Sequence, residues 1–211
     1  NFDALSVIWY SNNRVPATSI FADSSQYHDP ASAQAWPAYD PEAARRLIED
    51  YRASGGNPDF QFKTVATWVP MAEFLQAQMA EVGIRVDIQV YDLAQYASQV
   101  VQSGDFDLAT NLVTFESPYP FVGRFTHSQA VGNFGHYANP EVDALLDQAS
   151  TTVDPAAQVA AYQGVERLVG DDLAFMWLSR GFLSTITRDD VKGVSRYLDR
   201  AQFYDRLWLD R

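Results

Sequence analysis

Ile84-Arg85-Val86-Asp87-Ile88-Gln89-Val90 sets branched aliphatic residues at every second position with polar residues between them. A two-residue period puts the two sets on opposite faces of a strand, and the β-branched face must turn toward a core. The flanking residues follow a different period. Met71, Phe74, Leu75, Met79 and Val82 recur at three and four, which predicts a helix over 69–82 ended by Gly83. Downstream, a helix is predicted over 92–103, ended by Gly104, and then a strand over 106–113. Upstream, Phe60-Gln61-Phe62-Lys63-Thr64-Val65 alternates and reads as a further strand. Strand and helix patterns alternate through 58–180, and that order argues for an α/β layered domain.

Three copies of one device start the remaining helices. Asp40-Pro41, Asn139-Pro140 and Asp154-Pro155 each put a capping side chain before a proline, which is tolerated at the first helical position. The helices that follow are predicted over 41–54 (stacking Ala44, Leu47, Ile48 and Tyr51), 140–150 (burying Val142, Leu145, Leu146 and Ala149) and 155–169 (burying Tyr162, Val165, Leu168 and Val169). Residues 1–11 predict a short helix with Leu5, Ile8 and Trp9 on one face. Leu173–Leu178 reads as a buried strand, 182–187 and 191–198 as further short strands, and 203–209 as a terminal element. From Asn12 to Tyr39 periodicity disappears. An irregular stretch of about 28 residues is long for a compact domain, so it is expected to be functional or wrapped over something.

Composition bounds the function. With 47% hydrophobic and 20% charged residues the chain is globular, and 211 residues suffice for a real core. Surface scaling predicts roughly 70% burial on folding. The net charge of −12, with lysine only at Lys63 and Lys192, repels phosphate backbones, so no nucleic-acid partner is expected. No apolar run reaches the roughly 18–20 residues of a membrane span. Asn1 opens with neither a Met nor a basic and then apolar leader, so the chain is expected to be processed or cut from something longer. The lack of cysteine excludes zinc-thiolate sites, iron–sulfur clusters and thiol catalysis. HExxH, GxSxG, Walker and GxGxxG motifs are absent. A metal site from His127, His136 and Glu116 is weighed against three unrelated loop histidines, and the latter is favoured; no cofactor and no catalytic residue is expected.

The segment 113–139 carries the chemistry. It follows the carboxyl end of a predicted strand, where open α/β sheets place ligands. It combines Phe115, Tyr119, Phe121, Phe134 and Tyr137 with hydrogen-bonding groups and one acid, Glu116, which is the mixture of apolar wall and polar anchor that pockets use.

Several blocks resemble, in order, the extracellular solute-binding proteins of peptide-type ABC importers, solute-binding protein family 5. They are Tyr39-Asp40-Pro41-Glu42-Ala43-Ala44, the run from Phe74 to Ile84, Gly104-Asp105-Phe106-Asp107-Leu108-Ala109, Asn133, the run from Tyr137 to Leu146, and Asp190-Val191-Lys192-Gly193. The resemblance implies an α/β fold with a layered mixed sheet flanked by helices, the second lobe of a type II periplasmic-binding-protein clamshell. It implies a connecting helix and irregular segment at 1–39, a ligand-binding lobe at 40–190, and a C-terminal segment at 191–211 that returns to an absent first lobe. By the same resemblance the partners are a peptide or other small solute, a membrane ABC permease and the missing N-terminal lobe. The location is extracellular or periplasmic, with the full-length protein tethered as a lipoprotein. Glu116 aligns with the family's carboxylate that pairs with a ligand α-amino group, although the family uses aspartate there, and Val113 stands where many members have tryptophan. Thr114, Phe115, Tyr119, Phe121, Asn133 and Trp68 complete the expected ligand-binding set. A carboxylate-dependent hydrolase and an interaction domain without a small ligand are the alternatives.

Overall fold

The computed structural model describes residues 1–32, 37–113, 117–181, 185–195 and 204–210. Helix α1 (Phe2–Tyr10) and helix α2 (Pro41–Ala53) precede strand β1 (Phe60–Val65), helix α3 (Val69–Glu81) and strand β2 (Val86–Tyr91). A short helix α4 (Leu93–Gln95) continues as a π-helical segment (Tyr96–Val101) and leads to strand β3 (Leu108–Ala109). Helices α5 (Pro118–Thr126), α6 (Pro140–Thr151) and α7 (Pro155–Asp171) follow, and strands β4 (Val191–Lys192) and β5 (Trp208–Leu209) come last. The three proline-linked caps form as predicted: Asp40, Asn139 and Asp154 accept from the N–H groups of Ala43, Glu141 and Ala156.

The expected α/β fold with a sheet flanked by helices is present: among the described residues a parallel sheet is ordered β2-β1-β3, with a separate antiparallel pair β4-β5. Lying in the centre, β1 loses its alternation: Phe62, Lys63 and Thr64 are all buried, as a strand covered on both faces requires. The Lys63 ammonium stays paired by donating to the Asp105 carbonyl (2.6 Å) and carboxylate (2.9 Å), which raises its pKa. Strand β2 begins two residues late because the Ile84 N–H is taken by the Met79 carbonyl (2.9 Å) as the chain leaves α3 through Gly83 at φ +86°. Val86 is buried on this edge strand, while Val90 is exposed. Strand β3 is shorter than the predicted 106–113. The Asp107 carboxylate takes the Gln61 N–H (2.8 Å), and the Thr110 carbonyl takes the Tyr96 hydroxyl, so side chains replace ladder bonds at both ends.

Two further expectations, on Leu173–Leu178 and on the strands after it, are corrected below. The stacked stripe of α2 divides between protein and water: Ala44 and Ile48 are half-buried, while Leu47 is 69% and Tyr51 51% exposed. The helix is held by its arginines, with Arg45 and Arg52 donating to the Glu81 and Gly83 carbonyls at the negative end of α3 (2.9 and 2.6 Å). Leu173–Leu178 forms no strand among the described residues: Leu173 turns at φ +50° and Phe175 bends the chain. Arg14 Nε donates to the Leu178 carbonyl (2.7 Å) and the Arg180 N–H to the Val15 carbonyl (2.9 Å), so this run meets the irregular N-terminal stretch. Of the predicted strands 182–187 and 191–198, residues 185–188 are irregular and only Val191–Lys192 pairs; 182–184 and 196–198 lie outside the described residues. The predicted terminal element is a single turn, Tyr204–Arg206, followed by β5. Helix α5 went unpredicted, because its prolines and its non-helical Tyr119 (φ −90°, ψ 135°) mask the helical period.

Two apolar clusters form the interior. One gathers Leu5, Phe62, Met71, Ala72 and Val86 between the sheet, α1 and α3. The other gathers Val122, Val142, Leu146, Tyr162, Val165 and Val169 from α5, α6 and α7, with Ile20 and Phe21 from the irregular stretch. Phe175 and Trp177 pack on the second cluster and Leu178 on the first, so 173–178 spans both.

The irregular stretch is wrapped over α7, and one acid organises it. Glu166 is 1% exposed. Its carboxylate accepts from the N–H of Phe21 (2.7 Å) and of Asp29 (2.6 Å) and meets His28 Nδ1 at 3.0 Å. Arg180, also largely withdrawn from water, donates to the carbonyls of Ile20 (2.9 Å) and Phe21.

The whole chain exposes 13267 Å². A folded monomer of this mass would expose about 9,800 Å² against about 34,000 Å² unfolded, so burial is about 61% rather than the 70% expected.

Glu166→Ala would orphan the buried Phe21 N–H, at about 1–3 kcal/mol, and remove the acceptor of the half-buried Asp29 N–H. Urea unfolding should therefore show a loss of at least about 1 kcal/mol, and hydrogen exchange should show the amides of Phe21 and Asp29 deprotected first. A second prediction concerns pH. The Tyr137 hydroxyl (2.6 Å) and the Asn139 amide (2.8 Å) donate to Asp172 and hold its carboxyl below the ordinary 3.8. A depressed carboxylate contributes stability that is complete above its unfolded pKa and lost as pH falls through the folded value. Asp172→Asn should therefore flatten the fall in melting temperature below about pH 4, leaving the slope above it unchanged.

Candidate functional site

Because β1, β2 and β3 are parallel, their carboxyl ends share one edge. Beyond Val65 the chain turns through Ala66–Trp68 into α3. Beyond Tyr91, Asp92 caps α4 by accepting from the Gln95 N–H (2.8 Å). Beyond Ala109 come Thr110, Asn111 and Leu112. These exits enclose a cleft of about 240 Å³ lined by Val65, Trp68, Leu93, Tyr96, Ala97, Val101, Thr110, Asn111 and Leu112.

Hydroxyl groups tie its walls together. The buried Tyr96 donates to the Thr110 carbonyl, and the Thr110 hydroxyl lies 3.3 Å from both the Tyr96 and the Thr64 hydroxyls. The π-helical winding over Tyr96–Val101 accompanies this reach, and such windings are common at functional sites. Burial raises the Tyr96 pKa against the lowering effect of Thr110, so the phenol stays neutral. Trp68 stacks on Trp9 with centroids 5.8 Å apart and planes at 23°, which fixes its ring at the mouth of the cleft.

Of the residues singled out in sequence, Trp68 lines the cleft and the half-buried Val113 follows Leu112 directly. Thr114, Phe115 and Glu116 lie outside the described residues. Tyr119 and Phe121 stand exposed at the start of α5. Asn133 is buried, and its amide closes a loop: Nδ2 donates to the carbonyls of His127 (3.2 Å) and Tyr137 (2.7 Å), and Oδ1 accepts from the Tyr137 N–H (3.1 Å). Sequence reasoning passed over Val65, Leu93, Tyr96, Thr110 and Leu112. Their position at or near the carboxyl ends of three predicted strands was the available signal.

The histidines serve separate neighbours. His28 meets Glu166, His127 lies between Asp143 (3.7 Å) and Asp147 (3.6 Å), and the His136 ring occupies the space a side chain on Gly104 would need. Among the described residues no group of three or more His, Asp and Glu gathers as a metal site, and no helix is long and apolar enough to cross a membrane. A second, wider groove of about 590 Å³, lined by Gln76, Ala77, Ala80 and Gly83–Val86, lies at the opposite, amino end of β2.

The fold recurs in solved periplasmic binding proteins. The dipeptide-binding protein of Pseudoalteromonas sp. SM9913, solved in complex with Met-Leu, matches 99% of this chain and 43% of its own with TM-score 0.80 at 19% identity. The periplasmic binding protein DppA of Helicobacter pylori, in complex with the peptide STSA, matches 100% and 42% with TM-score 0.78 at 20% identity. In sequence, residues 1–133 match the bacterial extracellular solute-binding proteins, family 5 Middle, and the chain belongs to that family. The glutathione-binding protein GsiB of Pectobacterium atrosepticum is 27% identical over 195 residues, 85% of this chain. The chain spans 37% of that relative's length.

Tyr96→Phe should cost about 0.5–1.5 kcal/mol in urea unfolding, because it strips the Thr110 carbonyl of its donor. A neutral result would mean that the hydroxyl network does not hold the cleft wall.

Proposed function

We propose that this chain is the ligand-binding lobe of an ABC-importer solute-binding protein, which captures a peptide or other small solute and passes it to a membrane permease without altering it. The observation that carries the proposal is the cleft at the common carboxyl edge of three parallel strands, with Val113 following directly from its lining residue Leu112. Open α/β sheets bind ligands at that edge. The ligands named for the two solved structures, Met-Leu and STSA, are peptides, and glutathione is the ligand in the relative's name. These names favour a peptide.

Within this reading Glu116, four positions beyond Leu112, pairs with the ligand's ammonium group. Thr114, Phe115, Tyr119, Phe121 and Trp68 wall the site, and Asn133 shapes the loop behind it. The surface in excess of a monomer's supports a second lobe that covers part of this one. Residues 191–211 then return to that lobe, and the full-length protein works outside the cytoplasm as a tethered lipoprotein. Closure of the two lobes about a hinge completes the site.

In the full-length protein, Glu116→Gln should weaken a tripeptide with a free amino terminus by about 1–3 kcal/mol, measured by titration calorimetry. The N-acetylated tripeptide should be insensitive to the same change. Equal affinity of wild type and variant for the free peptide would remove Glu116 from the site.

A further inference from the structure

We infer that the cleft is a subsite for one large apolar side chain of the solute, leucine or phenylalanine in kind, and that it selects against charged ones. The inference rests on the reading of this cleft as the solute site and adds the chemistry of what enters it. Four observations converge.

The first is the wall. Val65, Trp68, Leu93, Tyr96, Val101 and Leu112 present carbon, and among the described residues no charged side chain lines the cleft. The second is the state of its polar groups. The Tyr96 hydroxyl donates to the Thr110 carbonyl, the Thr110 hydroxyl lies 3.3 Å from those of Tyr96 and Thr64, and Asn111 Oδ1 accepts the Leu112 N–H (2.8 Å), which leaves the neutral amide N–H groups of the exposed Asn111 to face a solute. An ammonium or carboxylate entering there would exchange water for engaged hydroxyls, one neutral amide and apolar surface, and such a transfer is costly.

The third observation is size. A dry apolar cavity of about 150 Å³ holds a benzene ring, whereas sites enclosing a whole drug-sized ligand run from about 300 to 1,000 Å³. At about 240 Å³ the cleft fits one bulky side chain and not a whole peptide. The fourth is pre-organisation. Trp68 is fixed by its stack on Trp9 and Tyr96 by Thr110, while Leu93 (74% exposed) and Leu112 (59%) stand uncovered at the rim. A side chain seated between them removes that leucine surface from water at little cost in wall ordering.

The test uses the full-length protein and tripeptides with an alanine frame, in which leucine, phenylalanine, glutamate or lysine is placed at each position in turn. Calorimetry should find one position where leucine or phenylalanine binds at least about tenfold tighter than glutamate or lysine. Leu93→Glu should remove that preference, bringing leucine and phenylalanine at that position to within about threefold of alanine. Peptides that bind with no position favouring an apolar residue, or a preference that survives Leu93→Glu, would overturn this inference alone. A protein that binds none of the peptides would overturn the peptide reading above together with it.

Discussion

Parallel pairing of β1 with both its neighbours is the constraint from which the site follows. Parallel strands cannot be joined by tight turns, so each crossover must leave from the carboxyl edge and return to the amino edge. The chain therefore delivers Ala66–Trp68, the start of α4 and Thr110–Leu112 to one edge without any of them needing affinity for the others. The hydroxyls of Tyr96, Thr110 and Thr64 then fix the spacing of what arrives there. Central placement also explains Lys63. A strand covered on both faces must bury whatever it carries, and the ammonium is tolerated because Asp105 meets it with both a carbonyl and a carboxylate.

A second buried charge does for the helical half what Lys63 does for the sheet. Irregular chain has no ladder to satisfy its backbone, so it stays on the surface or borrows partners. Here the partner is Glu166, projecting from α7 into the N-terminal stretch, with Arg180 donating to the two carbonyls that flank the Phe21 N–H. Ile20 and Phe21 can then enter the α5-α6-α7 cluster with the Phe21 N–H and both carbonyls paired. This stretch, together with 173–178, joins two clusters that the strand and helix pattern alone would leave separate.

The legible part of the fold is the part governed by local rules. Caps at Asp40, Asn139 and Asp154, the stops at Gly83 and Gly104, and β1 and α3 all follow from side chains acting within a few residues. What the sequence concealed is tertiary. Leu173–Leu178 has a strand's composition but ends beside residues 14–15 instead of a strand, and Leu47 and Tyr51 of α2 face water while Arg45 and Arg52 hold the helix to the end of α3. The cleft was half legible. The rule about strand ends pointed to the right edge and to Trp68, yet Leu93 and Tyr96 read as ordinary helix residues until β2 is known to end beside β1.

A crystal structure of the full-length protein with its co-purified solute tests the central claim most directly. The account predicts solute density at the carboxyl edge of β1 and β3, with part of it in contact with Tyr96, Leu93 and Leu112. Density seated in the groove at the amino end of β2, or anywhere away from that carboxyl edge, would contradict it.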